Sequence, residues 1–193
     1  MRSEFFPLPF YRSRKSCLMF EIQPMDPATF RQQTRRSTLI IAMLFLVLAM
    51  VLSTAAVALF GEPGGDNLRF NVGGVFVAFL LTAALLRGQF WQQPWMAPAV
   101  YSWRLKRSLM SVTNVMHQVT AAVEQNDPTA MKVLRFYHLG LTQMHELDGN
   151  SSDHAQLHRE VETHKARMQA LGLEIDQRRL DPAWLQALKP AAR

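Results

Sequence analysis

The chain has 193 residues, 49% of them hydrophobic and 19% charged, with one Cys and a net charge of +6. That length suits one domain, or one small domain with appendages. A single Cys excludes an internal disulfide scaffold, and the composition excludes a collagen-like or wholly disordered chain.

Charge is distributed unevenly. Residues 39–60 and 70–86 carry none, and the remaining residues hold all 36 charged side chains. Residues 1–18, MRSEFFPLPFYRSRKSCL, mix basic and aromatic residues without helical or strand period. They read as a disordered extension, an upstream translation before a start at Met19, or an arm lying on anionic lipid. The whole 1–26 segment is expected to be an unordered cytosolic arm. Asp26-Pro27 then reads as a helix start, with Asp as N-cap and Pro at the first helical position.

Leu39 to Phe60, LIIAMLFLVLAMVLSTAAVALF, rises about 33 Å as a helix and matches a hydrocarbon core of roughly 30 Å. A buried helix of a soluble core rarely runs so far without a charge. A cleaved signal would be shorter and nearer the N-terminus. Residues 61–69 hold three Gly and one Pro and read as a tight turn. Phe70 to Leu86 reads as a second, shorter span, bracketed by Arg69 and Arg87. The two spans would form an antiparallel transmembrane hairpin over 27–87.

Residues 88–107 read as an interfacial segment. Arg87, Trp91, Trp95, Trp103, Arg104, Lys106 and Arg107 mix cations with indoles beside a span, which suits lipid head groups. Phosphate-only nucleic-acid binding is the weaker reading, because topology accounts for the excess charge.

From about Ala99 to Gln125 the chain reads as one helix, with Leu109, Val112, Met116, Val119 and Val123 as its apolar stripe. Asn126-Asp127-Pro128 ends it. A second helix runs to about Leu147 on a stripe of Val133, Leu134, Tyr137, Leu141 and Met144. Residues 148–152 read as a turn. A third stripe, Leu157, Val161, His164, Met168 and Leu171, precedes a C-cap at Gly172. Asp181-Pro182 opens a last short helix. The fold class is therefore all-α: a transmembrane hairpin over 27–87, followed by a cytosolic helical region over 108–193 made of a helical hairpin and a further amphipathic helix. Such a small core would be marginal alone, so the third stripe is read as a helix-association surface.

Seven cations flank the cytosolic ends of the spans: Arg31, Arg35, Arg36, Arg87, Arg104, Lys106 and Arg107. The loop has only Arg69. The positive-inside rule puts both termini in the cytoplasm, and in a host with two membranes the protein sits in the inner one. Cys17 then sits in a reducing compartment as a spectator thiol.

Candidate sites are sparse. His154 and His158 stand four apart and share a helix face, the spacing of a two-His metal site, but no HExxH or Cys set accompanies them. Polar surface His is the plainer reading, and a pH-responsive role the other alternative. Ala49 with Ser53, and Gly74 with Ala78, form small-xxx-small pairs that let helices approach closely, within the hairpin or in a membrane dimer. No phosphate-cradling Gly loop, nucleophile elbow or intramembrane ionisable group is present. We therefore expect no enzyme, no catalytic residue and no cofactor.

The strings MFEIQPMDPAT at 19–29, FGEPGGDN at 60–67, LKRSLMSVTNVMHQ at 105–118, LRFYHLG at 134–140 and LDPAWL at 180–185 are distinctive. The chain resembles an uncharacterised, Pseudomonas-type gammaproteobacterial family of two-span inner-membrane proteins, a domain of unknown function, over about 19–188. The resemblance implies a natural start at Met19 and brings no activity, ligand or catalytic residue. The expected function is a non-enzymatic membrane anchor or adaptor. Its cytosolic helices would bind a protein partner or a second copy, with no nucleic acid. The alternatives are an anionic-lipid-binding organising element or a His-based metal or pH sensor.

Overall fold

The structure is a computed structural model, which describes residues 20–149 and 155–189. Seven helices make up most of it: α1 Pro27–Phe60, α2 Leu68–Leu85, α3 Ala97–Thr113, α4 Met116–Glu124, α5 Pro128–Asp148, α6 Ala155–Ala170 and α7 Pro182–Ala187. Two short strands, β1 Phe20–Glu21 and β2 Arg179–Leu180, pair antiparallel.

Asp-Pro starts three of the helices, for one reason. The Asp26 carboxylate accepts from the Thr29 N–H at 2.7 Å, Asp127 from Ala130 at 2.7 Å and Asp181 from Ala183 at 2.8 Å. The Pro that follows needs no N–H partner and has its φ already set.

α1 is 34 residues long, about 51 Å. Its first three turns belong to a helical domain. Phe30 is buried in the core. Arg31 donates to the Glu146 carbonyl at 3.2 Å, and the Ser37 hydroxyl reaches the Trp95 carbonyl. The rest of α1 lies beside α2. Ser53 Oγ donates to Asn71 Oδ1 at 2.7 Å, and Phe60 stacks on Phe70 at 6.3 Å. A Cβ on Gly74 would fall 2.5 Å from the Ser53 Cα, so only Gly permits this approach. Between the helices, the Asn67 side chain bonds both the N–H and the carbonyl of Glu62 at 3.1 Å, and Gly64 turns at φ 77°.

α2 loosens into a π turn over Leu86–Phe90, and a 3-10 turn at Pro94–Met96 leads into α3. The single helix expected over 99–125 is broken. Asn114 still bonds the Met110 carbonyl at 3.0 Å, but Val115 bonds Val112, three residues back. Ser111 and Thr113 hydroxyls take the Ser108 and Leu109 carbonyls at 2.6 and 3.0 Å, just before the break. Side-chain back-bonding of this kind bends helices, and Asn is a weak helix former. The break brings Val115 into the core beside Val112 and Val119, and leaves Met116 half-buried.

α5 is the centre of the domain. Met131, Val133 and Phe136 are fully buried. Of the stripe expected there, Val133 alone is fully covered; Leu134, Tyr137, Leu141 and Met144 are half-buried. The helix is packed on several sides, by α1, α3, α4, α6 and α7, so no single stripe describes it. Gly140 lets α3 approach: a Cβ there would meet Leu109 Cδ2 at 2.9 Å.

The expectation of an unordered 1–26 arm fails for its described part. β1 bonds to the C-terminal strand, Glu21 pairs with Arg179 at 3.1 Å, and Ile22 is buried. Phe20 packs edge-on to Phe136 at 6.4 Å. The Tyr101 hydroxyl accepts from the Gln23 N–H at 3.1 Å and donates to Gln143 Oε1 at 2.6 Å; Gln143 donates back to the Gln23 carbonyl. Residues 1–18 with Cys17, and Met19, lie outside the described residues.

Candidate functional site

Apolar side chains lie exposed along α1 from Leu39 to Phe60 and along α2. Leu39, Met50 and Leu59 are 65–75% exposed, and Val72, Phe76, Phe79 and Leu80 are more than half exposed. Both helices are long and apolar enough to cross a membrane. An open groove beside them is lined by Phe45, Asn71, Val72, Val75, Phe76 and Phe79, none of them charged. The small residues are spent within one chain: Gly74 and Ala78 are buried, Gly74 against α1, while Ser53 and Ala49 are half-buried.

Where α2 ends, cations and indoles form a ladder. The Arg87 guanidinium lies 5.4 Å from the Trp91 ring centre. Trp91 meets Trp103 edge-on at 5.3 Å, and Arg107 lies 5.1 Å from Trp103. The π turn carries Arg87, and α3 carries Trp103 and Arg107 one turn apart. Of the other residues expected at this interface, Arg104 is exposed next to Trp103. Trp95 packs on Phe90 at 5.6 Å. Lys106 stands apart from the ladder: its ammonium pairs with Asp148 at 3.5 Å.

The association stripe on α6 is divided. Met168 is fully buried and His164 nearly so, while Leu157 and Val161 are half-buried and Leu171 is 47% exposed. Arg167 anchors α6 to the α4–α5 turn, donating to Asn126 Oδ1 at 3.0 Å and to the Glu124 carbonyl at 3.2 Å. Two of the five stripe residues, His164 and Met168, are thus buried inside the chain.

Under α6 lies a basic cluster that the sequence pattern did not single out. Arg135, His138 and His164 are all buried. Arg135 Nε donates to the Ile175 carbonyl at 2.8 Å, and His164 Nε2 bonds the Met131 carbonyl at 3.0 Å. The two imidazoles meet edge-on at 5.3 Å. Arg135 Nη1 and His138 Nδ1 have no hydrogen-bond partner among the described residues. Burial, then the neighbouring His164 and Arg135, depress His138 to about 4. Burial also lowers His164 and Arg135. The available signal was spacing: Met131, Arg135 and His138 sit at i, i+4 and i+7, one face of a helix.

Of the candidate metal pair, His158 is exposed and His154 lies outside the described residues. Among the described residues, no group of three or more His, Cys, Asp or Glu is placed to hold a metal.

No curated protein and no solved structure matches the chain. Residues 20–185 match a family described as "Protein of unknown function (DUF3087)". That match takes in every described helix except the last two residues of α7, so the chain belongs to the DUF3087 family.

Proposed function

We propose that this protein is a non-enzymatic anchor or adaptor of the bacterial inner membrane. Its α1 and α2 form a two-span hairpin, and its helical domain sits at the cytosolic face with both termini. The apolar belt carries this reading. Exposing side chains such as Leu39, Met50, Leu59 and Phe76 to water over two helices would cost far more than a small domain's stability. A bilayer removes that cost.

α1 supports the anchoring role. One unbroken helix runs from the domain core at Phe30 through the apolar belt to Phe60. The domain is therefore held at a set angle to the spans rather than on a flexible tether. A partner or second copy would dock along the outer edge of α6, through Leu157, Val161 and Leu171, since His164 and Met168 are already used.

Two measurements test the proposal. Glu62→Cys, in a Cys17→Ser background, should react with a membrane-impermeant maleimide added outside intact spheroplasts' inner membrane. Labelling only after lysis would reverse the orientation. Cross-linking in intact membranes, with mass spectrometry, should then give links from Lys132 or Lys165 to another protein or to a second copy. Purely intramolecular links would remove the adaptor role.

A further inference from the structure

We propose that Arg87, Trp91, Trp103 and Arg107 form a binding site for the head group of an anionic phospholipid. The inference rests on the membrane reading above and adds a ligand to it.

Charge is the first support. No acidic residue occurs at 27–61 or 67–123. The cations of those stretches must find partners elsewhere. Lys106 has Asp148, and Arg31 has the Glu146 carbonyl. Arg87, Arg104 and Arg107 have no carboxylate partner among the described residues, and all three are exposed.

Geometry is the second. A guanidinium stacked on an indole is held in place through its flat face, while its N–H edge stays free for bidentate contact with phosphate. Here the Arg87 guanidinium lies over the Trp91 ring and that of Arg107 over the Trp103 ring, and the two indoles meet edge-on. Two phosphate-binding groups are therefore pre-positioned at either end of one aromatic platform. Indoles also favour the depth of lipid head groups.

Continuity is the third. The ladder begins one residue beyond Leu86, where the apolar run ends, and Met110, 65% exposed, extends the same face of α3. A soluble anion would need none of this apolar surround.

The test uses the full chain in neutral detergent, with native mass spectrometry reading bound phosphatidylglycerol against phosphatidylcholine. Wild type should retain phosphatidylglycerol preferentially. Each Arg near a membrane surface contributes roughly fivefold in affinity, so Arg87→Gln/Arg107→Gln should lose roughly thirtyfold. Arg69→Gln/Lys106→Gln removes the same formal charge elsewhere and should keep the preference. Equal retention in the two double variants would overturn the site. Displacement of the lipid by millimolar inorganic phosphate at matched ionic strength would also overturn it, as would a dimer peak that the Arg87→Gln/Arg107→Gln variant abolishes. Resistance to alkaline extraction, measured on the same variants, separates the two readings: lost lipid preference with retained insertion supports the site, whereas wild type extracted as a soluble protein overturns the membrane reading and the site together.

Discussion

Lowering the pH from about 7.5 to about 5 should loosen α6 from α5. His138 titrates ordinarily at 6.5 and is depressed to about 4 in the folded domain. The undocked state therefore binds more protons throughout that window. Stability from a neutral His138 is complete above 6.5 and is lost as pH falls toward 4. At about pH 5 the loss from this one ring is about 2 kcal/mol, and its limit is about 3 kcal/mol. His164 is lowered too and adds in the same direction. The groups facing the cluster are Arg135 on α5, Glu162 and Arg167 on α6, and Asp176 beyond α6. The two carboxylates lie too far from Arg135 to form ion pairs and soften the repulsion only in part. Hydrogen exchange on the reconstituted chain, corrected for the intrinsic pH dependence of exchange, should show α6 amides opening about thirtyfold more at the lower pH. His138→Gln should remove most of that increase. The reasoning fails if the His138 ring, followed by NMR, titrates near 6.5 with α6 still docked. An unchanged pH response in His138→Gln would refute it equally.

Three other perturbations follow from packing. Gly74→Ala forces a Cβ against the Ser53 backbone and should destabilise the α1–α2 pair by roughly 1–3 kcal/mol, whereas Gly73→Ala meets nothing within 4 Å and should be nearly neutral in a thermal melt of the detergent-solubilised chain. Phe136→Ala empties the centre of the core and should cost about 3–5 kcal/mol, read as loss of helical ellipticity at lower denaturant; a change under about 1 kcal/mol would refute Phe136 as a core side chain. Tyr101→Phe removes the hydroxyl that links Gln23 to Gln143, so proteolysis near β1 should become faster while α5 amides stay protected; unchanged cleavage would show that the strand pairing alone holds the segment.

Much of the local structure was legible because its causes are local. Asp-Pro caps act within one turn, so α1, α5 and α7 start where Asp26, Asp127 and Asp181 predict. Gly149 and Gly172 close α5 and α6 in the left-handed conformation, at φ 70° and 66°. Uncharged runs of helical length needed no partner to be recognised. Even the close approach at Gly74 follows from residue size, although its being used within one chain does not.

What the tertiary structure decided depends on contacts distant in sequence. The pairing of residues 20–21 with 179–180 spans almost the whole chain, and no periodicity announces a two-residue strand. The break at Thr113–Val115 contains neither Pro nor Gly. Lys106 and Arg107 are neighbours of equal charge, yet one meets Asp148 and the other Trp103, because successive helix positions point about 100° apart. The α6 stripe kept its helical period, but period alone cannot say whether an apolar face turns to its own chain or to another. Here α5, covered on several sides, takes up Met168 and His164 and buries Arg135 and His138 beneath them. Charge pattern and hydropathy alone determined the helices and the apolar runs; which faces are spent inside the chain was a matter of packing, since burial is settled by neighbours that only the folded chain brings together.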